Sequence, residues 1–382
     1  MRLFILITSL VIVLQSAQAR QSGSFLIREV TVFQAGSFIE KLDVLVENGT
    51  IKKIGKGLKS NDLVVAGEGQ TLLPGLVNAH VHAWLPYHLY NAAWNGVMYV
   101  HDMHSTNESA DALRKLRGEA QFADFSGPGF AATVAKGHET QFGYEVPVIG
   151  PGRSCYQFID AQIAAGADHI KIIYEPAAPT LTLEQVDSLI SRTHWHGKKA
   201  VVHISKADDA MKVMRLGADG LVHIWRDRQL TDEEMSEFAS SGIFVVPTLA
   251  VTEKVASYYE QKQIDKPVIT RLQMLEELRR AYEAGVTLLT GTDPPNFGLD
   301  YGQSLHHEIA LFVEAGIPVS EVLQSATVYP HEVYGHPVPT ISEGMPATFF
   351  LVKGDPREDI KVTTNISKRW KGGTLIEESK EY

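Results

Sequence analysis

Two histidines stand two residues apart at the end of an apolar run, Leu76-Val77-Asn78-Ala79-His80-Val81-His82. On an extended strand, side chains at i and i+2 share a face, so both imidazoles can bind one cation. Four later runs carry comparable groups: Lys171 inside His169-Ile170-Lys171-Ile172-Ile173, then His203, His223, and Asp293 after Thr290-Gly291-Thr292. A lysine in the middle of such a run is costly to bury unless it is neutralised or paired. Any one of these histidines alone reads as a satisfied core residue. Six groups at the same place in successive units read as a site. Imidazole and carboxylate suit Zn²⁺, and also Mn²⁺, Fe²⁺ or Co²⁺.

The elements that must position them are legible in the pattern. Eight compact apolar runs follow Thr71: Leu76–His80, Val97–Asp102, Phe130–Val134, His169–Tyr174, Ala200–Ser205, Gly220–Trp225, Ile243–Leu249 and Val286–Asp293. Helical stretches lie between most of them. Thr182 with Gln185, and Thr231 with Glu234, are capping-box pairs, and Gly166, Gly217, Gly242 and Gly285 sit where helices stop. Continuous apolar strands alternating with helices imply a parallel sheet covered on both faces, and eight units imply a closed (β/α)₈ TIM barrel. In such barrels, catalytic groups come from the C-terminal strand ends. A doubly wound open sheet would need a Gly-rich turn after the first strand, and Leu76–His82 offers none. Residues 25–70 instead read as a β-meander, with Asn48-Gly49 as a hairpin turn. Strand texture returns at Ala347–Val352 and Val362–Trp370. The expected organisation is a β-sandwich domain of α/β context, built from residues 20–70 and 340–382, with the barrel of residues 71–339 inserted between.

The chain has 382 residues, a net charge of −10, 15 histidines and one cysteine, Cys155. The charge disfavours a nucleic-acid partner, and one cysteine excludes an internal disulfide or an all-cysteine zinc site. Arg2, the apolar run Leu3–Leu14 and Ala17-Gln18-Ala19 read as a signal peptide of residues 1–19. The expected location is secreted or periplasmic. No cysteine follows the cut, so no lipid anchor is expected. Three Asn-x-Ser/Thr sequons occur, at Asn48, Asn107 and Asn365; they matter only in a host that glycosylates.

With these residues in view, the chain resembles the amidohydrolase superfamily of metal-dependent hydrolases, in its imidazolonepropionase-like and prolidase-like branch. Leu73-Pro74-Gly75-Leu76-Val77-Asn78-Ala79-His80-Val81-His82 is similar to that family's first-strand motif. Lys171, His203, His223 and Asp293 match its fourth-, fifth-, sixth- and eighth-strand ligands in order. The resemblance implies two divalent ions, Zn²⁺ being expected, bridged by a CO₂-derived carbamate on Lys171. It implies that His80, His82 and Asp293 hold one ion and His203 and His223 the other. A bridging hydroxide would attack the substrate, with Asp293 as proton shuttle. There are departures: His101-Asp102 where Arg-Asp is common, Pro294 after Asp293, and Thr348 where Asp is usual. None removes a ligand.

Around these ligands, His138 in Gly137-His138-Glu139-Thr140-Gln141 is expected to bind substrate or polarise its carbonyl, taking a catalytic role. Tyr174, Trp225 and Arg226 follow ligand-bearing strand ends and are candidate substrate-binding residues. His306 and His307 are read as structural, and His101 and His104 are left unassigned. The expected activity is hydrolysis of an amide-type bond in a dipeptide, an N-acyl amine or amino acid, or a cyclic amide. A lactone or ester hydrolase could use the same hydroxide. Many family deaminases place a glutamate a few residues after the fifth-strand histidine. Here Ile204-Ser205-Lys206-Ala207 follows His203, which disfavours deamination. A non-catalytic binding protein on the same frame would tend to lose ligands, and all six are present. The expected partner is a small-molecule substrate, with self-association left open.

Overall fold

The computed structural model describes residues 23–263, 269–380 and 382; the expected leader lies outside the described residues. Strands β1 (Phe25–Gln34), β2 (Ser37–Glu47) and β3 (Thr50–Gly55) form an antiparallel meander. The turn between β2 and β3 is Asn48-Gly49, both at positive φ (50° and 79°), as a hairpin of this type requires. Strands β4 (Leu63–Ala66) and β5 (Gln70–Pro74) run parallel to β1.

Beyond Gly75 the chain enters the barrel. Its strands are β6 (Leu76–Val81), β7 (Val97–Asp102), β8 (Asp124–Ser126), β9 (Ile170–Ile173), β10 (Ala200–His203), β11 (Gly220–Val222), β12 (Phe244–Val246) and β13 (Thr287–Leu288). β6, β7 and β8 pair in parallel, and so do β9 to β13. On one side, Asp168 N before β9 donates to Gly127 O after β8 (3.0 Å), and a parallel bridge joins Ile172 of β9 to Ala132 in the segment that follows β8. On the other, Ala79 N donates to Thr290 O (2.9 Å) and Asp293 N to His80 O (2.8 Å). The ring is thereby closed. The third strand differs from expectation. β7 pairs with Asp124–Ser126, whereas Phe130–Val134 contributes isolated bridges at Ala132 and Val134. Polar residues at both ends of Asp124-Phe125-Ser126 hide a strand that an apolar-run reading passes over.

The helices are α1 (Pro86–Trp94), α2 (Asn107–Arg114), α3 (Cys155–Ala164), α4 (Leu183–Trp195), α5 (Ala207–Arg215), α6 (Asp232–Ser240), α7 (Leu249–Lys262), α8 (Arg271–Glu283), α9 (Gln303–Glu314), α10 (Val319–Ser325) and α11 (Tyr329–Tyr334). Thr182 and Thr231 cap α4 and α6 in full capping boxes, and Ser154 and Thr270 do the same for α3 and α8. Strand alternation sorts the side chains. Ile170, Ile172 and Tyr174 pack outward against the helices. Ala79, Val201, Val222, Phe244, Val246 and Leu289 fill the barrel interior, and Tyr334 of α11 plugs it from beneath.

The last strands, β14 (Phe349–Lys353), β15 (Ile366–Lys371) and β16 (Thr374–Leu375), rejoin the first sheet, with β14 antiparallel to β5. Ile51 N donates to Met345 O (2.8 Å), so β3 folds back toward the segment before β14. The sheet closes as a sandwich over Phe25, Val44, Ile51, Leu72, Phe349 and Trp370. Phe25 stacks on Trp370 at 5.0 Å. This β-sandwich beside a TIM barrel is the architecture expected from the sequence.

Candidate active site and metal centre

β6 delivers His80 and His82, and the segment after β13 delivers Asp293. Asn78 ties the two together. Its Nδ2 donates to Thr292 Oγ1 (2.7 Å), and its Oδ1 accepts from Thr292 N (3.1 Å). Gly291 allows the close approach, since a Cβ there would lie 2.8 Å from His80 N. Asp293 Oδ1 then stands 3.3 Å from His80 Nε2 and 3.0 Å from His82 Nε2. Asn296 Nδ2 donates to the same oxygen at 2.9 Å. Asp293 sits at φ 65°, a left-handed conformation that costs a non-glycine residue about 1–3 kcal/mol and is retained where a site requires it.

Lys171 is inward-facing on β9 and essentially fully buried. His203 ends β10 and His223 follows β11 at φ 62°. The rings form a continuous chain: His80 to His223 at 5.0 Å, His223 to His203 at 4.7 Å, His203 to His138 at 4.7 Å. Neighbours orient the imidazoles. His223 Nδ1 shares a 2.6 Å hydrogen bond with Thr248 Oγ1, so Nε2 keeps its lone pair if Nδ1 donates. His82 Nδ1 donates to His104 O (3.3 Å), leaving Nε2 toward Asp293. His203 Nε2 lies 3.6 Å from Glu175 Oε2, which leaves Nδ1 as its metal-competent atom.

The charges are uneven. Burial lowers His80 to about 3, aided by Lys171, so its ring is neutral. Burial would lower His82 too, but Glu139 and Asp293 lift it to about 9. Burial would raise Asp293, yet His80 and His82 hold it well below the usual carboxylate range. Burial pushes the Lys171 ammonium down to about 8.

These residues fit a metal. His80, His82 and Asp293 are the group of three, among the described residues, whose ligand atoms all lie within 4.8 Å of one another. His80 Nε2, on the side of Asp293, is buried without a completed hydrogen bond, and a cation there would take up its lone pair.

A cavity of about 300 Å³ opens over this group, lined by His82, His138, His203, His223, Arg226 and Asp293 among others. Phe142, Tyr258 and Phe297 form its aromatic wall. A larger groove of about 800 Å³ beside α7 and α8 is lined by none of the six strand-end groups, and ion-paired side chains such as Arg271 and Glu253 face it. Two expected substrate contacts are placed elsewhere. Tyr174 packs in the helix-facing core, because strand alternation from Lys171 turns it outward. Trp225 is fully buried, donates through Nε1 to Glu277 Oε1 (2.7 Å) and packs edge-on to Phe238. Neither lines the cavity. His306 spends both ring nitrogens, on Thr363 Oγ1 and Asn95 O, and His307 meets Glu253 at the surface. His101 stacks on Tyr334 at 4.1 Å, and His104 Nδ1 accepts from Ala131 N.

Sequence reasoning passed over Glu139, Glu175, Asn296 and Thr248. Glu139 and Asn296 line the cavity. Glu175 accepts from Ser205 Oγ, and burial, which would raise it, is overruled by His203 and Ser205, which hold it at about 2.

Residues 71–376 match the amidohydrolase family. The 5'-deoxyadenosine deaminase of Methanosarcina acetivorans is 22% identical over 352 residues, spanning 81% of this chain and 79% of that protein. The 5-methylthioadenosine/S-adenosylhomocysteine deaminase of Pyrococcus furiosus is 22% identical over 374 residues, spanning 82% of each. Among solved structures, a Xaa-Pro dipeptidase with bound methionine in the active site shares the fold at a TM-score of 0.79 and 24% identity. That likeness covers 93% of this chain and 100% of the other. With a family match over most of its length and metal-competent side chains at its strand ends, the chain belongs to the amidohydrolase family, hydrolases that act on carbon–nitrogen bonds.

Proposed function

We propose that this hydrolase cleaves an amide bond at a two-metal centre. His80, His82 and Asp293 would hold one ion, His203 and His223 the other, with Lys171 between them as its carbamate. The observation that carries the reading is the convergence of buried His80, His82 and Asp293 beside a buried lysine whose pKa of about 8 makes its neutral, CO₂-reactive amine accessible near neutral pH. Two divalent ions, Zn²⁺ being the expected pair, would supply hydroxide at neutral pH and polarise the substrate carbonyl.

The protein's own groups do the rest. Asp293, its Oδ1 held by Asn296, takes up the proton and hands it to the departing nitrogen. His138 stands beside His203 at the cavity wall and donates to the carbonyl oxygen. Arg226 spends one N–H on Ser205 Oγ (3.0 Å) and forms no ion pair among the described residues. Its remaining donors suit a substrate carboxylate. Tyr174 and Trp225 have no part in this scheme.

The deaminase names of the sequence relatives support a second reading, deamination. The acid expected shortly after His203 is missing, and Glu175 is the carboxylate that stands beside that ring instead. Export is proposed from Arg2, Leu3–Leu14 and Ala17–Ala19 alone.

The test is a substrate panel on metal-loaded protein: N-acyl amino acids, dipeptides, cyclic amides, lactones and adenine nucleosides. Turnover of linear amides at least tenfold above lactones and nucleosides is expected. Turnover of lactones or nucleosides with none of any amide rejects the proposal.

A further inference from the structure

A separate cluster of histidines lies at the barrel floor. His101 of β7 packs against His336 (ring centroids 5.7 Å) and His169 (6.1 Å), and His331 of α11 lies 6.3 Å from His336. A cavity of about 340 Å³ opens among them, lined by His101, His331, His336, Ser126, Asp124 and Asp168 among others. It shares no residue with the cavity over His82 and Asp293. The local sequence builds it. Gly335 ends α11 at φ 67°, so His336 N turns back to donate to His331 O (2.8 Å), and one helix cap carries both imidazoles. Tyr334, the residue before that glycine, stacks on His101 at 4.1 Å and brings α11 to β7.

Several polar atoms here are left open. His331 is 2% exposed, and both of its ring nitrogens are buried without a hydrogen-bond partner. His101, equally buried, leaves Nδ1 open, and Ser126 leaves its Oγ. Buried polar atoms are normally paired, so such a concentration beside a cavity points to a ligand. The carboxylates of the cavity are committed elsewhere: Asp124 to Lys371 (2.7 Å), and Asp168 to Arg117 (2.7 Å) and Arg114 (3.1 Å). What the cavity offers is therefore imidazole. Burial keeps those rings neutral, lowering His331 to about 4, His101 well below its ordinary range and His336 in the same direction. Neutral imidazoles hold lone pairs suited to borderline transition ions, whereas Ca²⁺ and Mg²⁺ take oxygen ligands.

We propose that His101, His331 and His336 form a metal site of their own, for a divalent ion of the Zn²⁺, Ni²⁺ or Cu²⁺ class, which fastens α11 to β7. The trio is looser than the strand-end group, whose ligand atoms all lie within 4.8 Å of one another. Two imidazoles on one tetrahedral ion have ring centroids about 5 Å apart, so His336 must move inward by roughly 1 Å. It is the half-exposed member of the trio, on the segment between Gly335 and Pro337. The ion would hold the plug residue Tyr334 in the barrel floor. Its role is structural and stands whether or not the strand-end centre cleaves an amide.

Zinc content after equilibrium dialysis tests it, on wild type, His336→Ala, His101→Phe, the strand-end variant His80→Ala, and His80→Ala combined with His336→Ala. His101→Phe keeps an aromatic ring on Tyr334 while removing the nitrogens. Each floor variant should hold about one equivalent of Zn²⁺ per chain less than wild type, and the combined variant about one less than His80→Ala. The zinc-dependent rise in melting temperature should also be smaller in the combined variant than in His80→Ala. An undiminished zinc content in either folded floor variant overturns the proposal. So does a loss that vanishes in the His80→Ala background, since that ion would belong to the strand-end centre. An equal melting-temperature rise overturns the fastening role. If His101→Phe fails to fold, His336→Ala decides alone, its fold checked by circular dichroism.

Discussion

His82 carries a proton at neutral pH, because Glu139 and Asp293 overcome burial and lift its pKa to about 9. A metal must displace that proton. The sign follows directly: below about pH 9 the proton competes with the ion, so affinity rises with pH, about tenfold per unit for one displaced proton. Deprotonation of Lys171, at about 8, adds to the slope. His80, lowered to about 3, adds nothing in this range. Competition titrations with Co²⁺ at pH 6, 7 and 8 should show this rise, and a flat profile would remove His82 from the ligand set. At this scale the six strand-end groups were legible because each interrupts an apolar run. Parity from Lys171 also held the signal that Tyr174 faces outward. Trp225 was harder: two residues after His223 it should share that face, but His223 at φ 62° breaks the alternation. Glu139, Glu175 and Asn296 lie in loops, where no periodicity tells which way a side chain points.

Among the elements, α7 connects distant parts of the site. Buried Glu308 on α9 accepts from Leu249 N (2.9 Å) and Ala250 N (2.7 Å), capping the α7 N-terminus. The preceding residue, Thr248, orients His223, and α7 also carries Tyr258 at the cavity wall. Glu308→Ala leaves two buried N–H groups open and should cost roughly 3 kcal/mol in urea unfolding. It should also weaken metal retention through Thr248 and His223. A loss no greater than that of exposed Glu184→Ala would show that the cap carries little. Helix starts at Thr182 and Thr231 were readable because capping is a local code. The third strand was not, since its three residues are held by their neighbour β7 rather than by any pattern of their own.

Across the whole molecule, the β-sandwich and the barrel are joined by buried polar contacts as well as by chain continuity. Lys371 of β15 donates to Glu119 O (3.1 Å), Phe122 O (2.7 Å) and Asp124 Oδ1 (2.7 Å), reaching into the barrel beside β8. Lys371→Met should cost about 3 kcal/mol in urea unfolding, because the Asp124 carboxylate and two carbonyls lose a shared donor. A cost below about 1 kcal/mol, the range of an exposed pair, would assign the seam to apolar packing. The split of the β-domain between the two chain ends could be inferred from strand texture, whereas this seam joins residues roughly 250 positions apart that no local signal connects. That split also orders biosynthesis. β5 pairs with β14, Thr71 against Val352, so one flank of β5 stays bare until a strand some 280 residues further along has been made. Because β5 runs through Gly75 into β6, the first two imidazoles hang from a strand whose support arrives after the whole barrel. A ribosome that stops early leaves an open strand edge that invites pairing with other chains. Termination before β14 would thus cost the cell an aggregate rather than a shortened enzyme.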